Sequence, residues 1–249
     1  MAKISLQLWS IQEECAKDFL GTLTKVKEFG YDGVEFAGYY ETEAAELKAH
    51  LDKIGLAVSG SHVPADKLVN DLENTIAYEK ALGNQNVIIP WEQGETLADW
   101  QAHFAKFAEI QQRLQEEGLT LGYHNHAHEF TQVPEVNVLE AMVAAVPGIK
   151  LEVDTYWVEF AGEIAIKWMT RNQAVIKWLH IKEMRKDGDT TESTEISTGI
   201  LPIRSFVEFA KENEIEWLVV EQEAFQAYPP IESAEINVQN LRKIVEEVF

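Results

Sequence analysis

A single cysteine, Cys15, stands in 249 residues, so no intramolecular disulfide can form. A chain so poor in cysteine fits a reducing compartment. No apolar run approaches the ~18 residues that a membrane-spanning helix needs. The opening MAKISLQLWSIQEE carries one lysine and no long apolar stretch, so it does not read as a secretory signal, and the expected location is the cytoplasm. Basic residues are scarce: 21 Lys and Arg stand against 42 Asp and Glu, a net charge of −21. Such a surface repels a phosphate backbone, and with no basic cluster to offset it, nucleic-acid binding is not expected. Low-complexity linkers and breaks in composition are also missing, so residues 1–249 read as one domain. Nor is there a glycine-rich turn after the first apolar run. Trp9-Ser10-Ile11-Gln12-Glu13 stands there instead, which argues against a dinucleotide-binding doubly wound sheet.

What the chain does have is alternation. Eight short apolar runs occur: Ile4–Trp9, Gly33–Phe36, Leu56–Gly60, Asn86–Pro90, Leu119–His124, Ile149–Asp154, Ile176–Ile181 and Trp217–Glu221. The segments between them place apolar residues at helical spacing, as in Phe104, Phe107, Ala108, Gln111 and Leu114. Gly30, Gly55, Gly83, Gly118 and Gly148 each follow a helical segment and precede an apolar run, where a glycine ends a helix by taking a left-handed conformation. Strands joined through helices pair in parallel with right-handed crossovers. Eight such units predict an α/β fold, a closed (β/α)8 TIM barrel, and 46% hydrophobic residues supply its core.

The functional groups of such a barrel sit at the C-terminal ends of its strands. Five of the seven histidines, His62, His124, His126, His128 and His180, fall at those ends. Asp154, His180 and Glu221 each close an apolar run, and a charged group there is costly unless it is paired or bound to a cation. Three such residues on nearby strands predict a divalent-metal site. The remaining ligand is open between Glu129, which lies past its strand and is preferred, and His124. Imidazole and carboxylate together suit manganese, cobalt, magnesium, zinc or iron.

The motifs QLWS (7–10), GYDGVEFAG (30–38), GSHV (60–63), ALGNQNVIIP (81–90), GYHNHAHEF (122–130), LEVDTYWV (151–158), LHIKE (179–183) and VVEQE (219–223) together resemble the xylose-isomerase-like TIM-barrel superfamily, the sugar phosphate isomerase/epimerase group. The resemblance runs over essentially the whole chain. It implies one divalent ion, manganese foremost, on a Glu-Asp-His-Glu quartet, and a sugar as the small-molecule substrate. Asp154, His180 and Glu221 match three members of the quartet. The chain departs at the fifth strand, where many relatives carry Glu-Asn-His and this one has His124-Asn125-His126. The resemblance also implies a homo-oligomer, often a dimer or tetramer.

The implied chemistry is abstraction of the proton beside a carbonyl, giving an enediolate that the metal stabilises. Epimerisation, isomerisation and loss of a β-substituent share that first step, so a keto-sugar isomerase or epimerase stands beside a dehydratase or glycoside-cleaving lyase. Glu221 and Glu129 are the expected proton-transfer groups, and His126 the acid or a hydrogen-bond partner of a substrate hydroxyl. Glu35, His62, His124 and Lys182 are expected to contact substrate. Trp9, Trp91 and Trp157 are expected to wall a sugar ring.

Overall fold

The computed structural model describes residues 1–249. Each apolar run forms a strand, and an additional hairpin follows the seventh. The strands are β1 (Lys3–Gln7), β2 (Gly33–Phe36), β3 (Ala57–His62), β4 (Asn86–Ile89), β5 (Thr120–His124), β6 (Lys150–Asp154), β7 (Ile176–Ile181), the hairpin β8 (Glu183–Asp187) and β9 (Thr190–Thr194), and β10 (Trp217–Val220). All but the hairpin close into one barrel in the order β1-β10-β7-β6-β5-β4-β3-β2. Every neighbouring pair in it is parallel. The hairpin is antiparallel, and the φ of 59° at Gly188 suits the mirror-image turns that two-residue loops prefer. Its signal, Asp187-Gly188-Asp189, is present in the sequence but lies outside the eight-run pattern.

The five punctuating glycines all have positive φ, from 66° at Gly55 to 103° at Gly30. Outside the barrel, helices bury an apolar stripe against the strands. Helix Leu97–Glu116 starts at a capping box between Thr96 and Asp99 and buries Trp100, Phe104, Phe107, Ile110 and Leu114. Helix Ile203–Glu212 buries Phe206 and Phe209 in the same way. The helical layer is not one helix per strand: β1 and β2, for instance, are joined by a short 3-10 turn and two helices, Gln12–Lys17 and Phe19–Phe29.

The barrel interior is filled by setting large side chains against missing ones. Trp178 of β7 packs over Gly122 of β5, and Trp217 of β10 packs over Gly33 of β2. A Cβ added at Gly122 would lie 2.8 Å from Ile88 Cγ1 and 2.9 Å from Trp178 Cζ3. These indoles plug the barrel beneath the strand ends and leave only the upper part of the lumen for polar groups. Register then decides which groups meet: Asp154 lies beside His180, and His180 beside Val219, two residues before Glu221. Gly122→Ala forces the plug to move and is expected to cost about 1–3 kcal/mol, read as a lower urea midpoint at unchanged m-value.

Candidate active site and metal centre

Strand alternation sends Glu152 and Asp154 of β6 to the same face, and likewise Trp178, His180 and the following Lys182. Inside the barrel this builds two stacked layers of charge. In the lower layer, Gln7 Nε2 donates to Glu35 Oε2 (2.6 Å), and His180 Nε2 lies 2.9 Å from the same oxygen. His62 Nε2 sits 3.0 Å from Glu35 Oε2 and 2.8 Å from Glu152 Oε2. The two imidazoles stack with centroids 5.5 Å apart. Burial alone would push both histidines down, but Glu35 and Glu152 outweigh it. They hold His62 up at about 9 and His180 well above the ordinary imidazole value. Conversely, burial raises Glu35, and His62 and His180 outweigh it and hold it well below the usual carboxylate range.

In the upper layer His180 turns its other nitrogen, Nδ1, toward Glu221 Oε2 at 3.3 Å. The fully buried Lys182 ammonium donates to Glu221 Oε2 (3.2 Å), lies 3.7 Å from Asp154 Oδ2 and pairs with Glu223. Burial opposes that charge, but the three carboxylates hold Lys182 above its ordinary value. Burial likewise raises Glu221 and Asp154, and Lys182 leads the charges that bring both down. Asp154 Oδ1 also caps the helix Thr155–Phe160 by accepting from Trp157 N at 3.1 Å.

Two atoms in this layer have no hydrogen-bond partner: His124 Nε2 and Asp154 Oδ2, both buried and 3.5 Å apart. Ligand atoms of His124, Asp154, His180 and Glu221 all fall within 4.8 Å of one another. An imidazole nitrogen and a carboxylate oxygen that both lack a hydrogen bond are costly in a dry interior, even with the Lys182 ammonium 3.7 Å from the oxygen, and a shared cation satisfies both. Two imidazoles and two carboxylates therefore fit a divalent ion. Glu35, His62, Glu152 and His180 form a second group of the same compactness one layer down.

The expected residues separate into those the fold gathers and those it sends elsewhere. His124, Asp154, His180 and Glu221 come together, and Lys182 joins them. Glu129 does not. The chain leaves the barrel after His124 and enters the short helix His128–Thr131. There the Glu129 carboxylate turns back onto Tyr123 OH (2.8 Å) and the His126 amide (2.9 Å). Tyr123 packs against Phe107 and Trp100, on the helix side of β5, so Glu129 lies outside the lumen, and the residue grouped with Asp154, His180 and Glu221 is His124. Glu35 does not reach substrate space either. It sits within β2 rather than at its end, is fully buried, and is engaged by Gln7, His62 and His180. His128 Nε2 donates to Glu92 O, 2.7 Å away, in the surrounding loops.

A cavity of about 580 Å³ opens above the upper layer, and His62, His124, His126, Glu221, Trp9 and Trp91 are among the residues that line it. Trp157 is not on its wall; it packs on His126 (5.2 Å) and under the Lys182 ammonium (4.9 Å). Burial, with His124 adding to it, pushes His126 down to about 3, so its ring is neutral. Glu152 is a site residue that the sequence reading does not name, although Leu-Glu-Val-Asp places two acids on one strand face; Glu223, read as a strand-end residue with no role, pairs with Lys182.

Comparison with known proteins follows the same outline. The family model described as Xylose isomerase-like TIM barrel matches residues 23–244. The rhizopine catabolism protein MocC of Rhizobium meliloti is 25% identical over 265 residues, covering 89% of this chain and 80% of that protein. A sugar phosphate isomerase/epimerase of Parabacteroides distasonis superposes with a TM-score of 0.82 at 22% identity, over 98% of this chain and 96% of that one. The probable 3-DHS dehydratase AsbF of Bacillus anthracis, involved in petrobactin synthesis, superposes at 0.70 with 13% identity, over 96% and 97%.

The geometry makes the two rival ligands separable. Manganese at a hundred times its Kd is expected to stabilise the protein by about 2.7 kcal/mol. His124→Ala should remove most of that gain and Glu129→Gln should keep it, as read by thermal melts with and without the ion.

Proposed function

Since this chain belongs to the xylose isomerase-like TIM barrel family, we propose that it is a divalent-metal-dependent isomerase or epimerase acting on a keto-sugar or keto-glycoside. The observation that carries this reading is the unpartnered pair His124 Nε2 and Asp154 Oδ2 meeting His180 and Glu221 at the floor of an open cavity. A divalent ion held by these four residues supplies Lewis-acid polarisation of a carbonyl oxygen.

The chain's own groups supply the rest. Glu221 is kept ionised by Lys182 and His180 and borders the cavity, so its carboxylate is placed to take the proton from the carbon beside the carbonyl. Lys182 does not face the cavity. It holds Asp154, Glu221 and Glu223 in place and offsets their repulsion. His126, neutral and on the cavity wall, is suited to a hydrogen bond with a substrate hydroxyl rather than to the role of a strong acid. Glu35 and Glu152 position His180, whose Nδ1 is thereby presented upward. Return of the proton to the same carbon with inversion is epimerisation, and return to the neighbouring carbon is isomerisation.

A dehydratase or glycoside-cleaving lyase is the second reading. It uses the same groups for the first step, and the probable dehydratase AsbF has the same fold.

Proton NMR in deuterated water distinguishes the two. With a panel of keto-sugars and the manganese-loaded protein, exchange of the proton beside the carbonyl without loss of a substituent is the expected result; release of water or an aglycone supports the lyase. Glu221→Gln should slow exchange by about 100- to 10,000-fold while the melting curve stays cooperative. Near-normal exchange in that variant would refute the role of Glu221.

A further inference from the structure

The cavity is two-sided in its chemistry. Its lining joins the polar strand-end groups His62, His124, His126 and Glu221 to an apolar set that includes Trp9, Tyr39, Pro64, Pro90 and Trp91, with Lys67 and Glu223 also on the wall. Trp9 is 50% exposed and Trp91 is 46% exposed. Large rings left in water on the lining of a cavity, Trp9 between the buried Leu8 and Ser10 and Trp91 just past β4, mark a contact surface more than a core. The volume of about 580 Å³ is mid-range for cavities of ~300–1,000 Å³ that enclose drug-sized ligands, which exceed a single sugar ring.

Charge excludes the other common way of filling such a space. Lys67 and His62 are the cationic side chains on the lining, against Glu221 and Glu223, and His62 is already held by Glu35 and Glu152. Lys182 is already consumed by three carboxylates. Phosphate in barrels of this kind is often held by backbone amides of the loops after the seventh and eighth barrel strands. Here those amides point at acceptors of the protein itself. After β7, Met184 N (3.0 Å), Leu201 N (2.9 Å) and Ser197 N (3.3 Å) all donate to the buried Glu183 carboxylate. After β10, Gln222 N donates to Ser10 Oγ (3.0 Å), and Glu223 N (3.0 Å) and Ala224 N (2.9 Å) donate to Ser193 Oγ. The amides of both loops that lie next to the strand ends are thus already engaged.

We infer that the substrate is an unphosphorylated glycoside, its sugar on the polar floor and an apolar, preferably aromatic, aglycone against Trp9 and Trp91. This rests on the reading that a sugar occupies the floor, but it concerns binding and is tested without turnover. The manganese-loaded protein is titrated by calorimetry with the phenyl glycosides, methyl glycosides and 6-phosphates of glucose, galactose and mannose. For at least one sugar the phenyl glycoside is expected to bind about tenfold or more tightly than its methyl counterpart. The 6-phosphate is expected to bind no better than the methyl glycoside. Trp9→Ala and Trp91→Ala should each reduce the phenyl advantage while leaving the melting curve unchanged. Equal affinity for phenyl and methyl glycosides, preference for a phosphate, or failure of every phenyl glycoside to bind would overturn the inference. Proton exchange on a keto-sugar with no phenyl preference would remove the aglycone site and leave the isomerase reading standing. A phenyl preference with no exchange on any keto-sugar would do the reverse.

Discussion

Charge enclosed by a closed barrel is the constraint from which the rest of the molecule follows. Glu35, Glu152, Asp154, His180 and Lys182 are fully buried, with no path to bulk water along the sheet. An ion taken from water loses several kcal/mol of hydration that only well-placed partners restore. The protein meets this by alternating signs up the barrel axis. Glu35 and Glu152 face His62 and His180, and above them Asp154, Glu221 and Glu223 surround Lys182.

His180 links the two layers. Its Nε2 is committed to Glu35 and Glu152, and its Nδ1 is thereby aimed at Glu221. A carboxylate behind an imidazole sets the ring's orientation and makes its exposed nitrogen a better donor to a cation. The lower layer is therefore the support of the upper one. That division explains why Glu35, at first sight a substrate-contacting residue, is better understood through what it does to His180. At the level where a cavity opens, His124 Nε2 and Asp154 Oδ2 are left without hydrogen-bond partners, as are Glu35 Oε1 and Glu152 Oε1 in the layer below.

The outer mouth obeys a different economy. Away from the strand ends the lining becomes apolar, and the backbone amides that elsewhere bind anions are satisfied by Glu183, Ser10 and Ser193. With a net charge of −21 over the whole chain, nothing long-ranged draws a phosphorylated ligand inward. Polar recognition is thus concentrated at the floor, and the rim contributes contact area and stacking.

Much of this was legible without coordinates. Eight apolar runs separated by helical segments and closed by glycines state a parallel barrel, because period and punctuation are local properties of the chain. Asp154, His180 and Glu221 could be placed on one face because a strand's alternation and its end are both visible in sequence. The choice between His124 and Glu129 was not local. It depended on where the chain turns after β5, and Tyr123, on the helix side of that strand, draws the Glu129 carboxylate out of the lumen. Glu35 likewise reads as a strand-end acid, and only the closed barrel shows that His62 and His180 reach it first. Alternation determines which way a side chain points, since it is fixed by backbone geometry residue by residue. Which groups it then meets across the barrel depends on register and closure, and these are settled by the packing of all the strands at once.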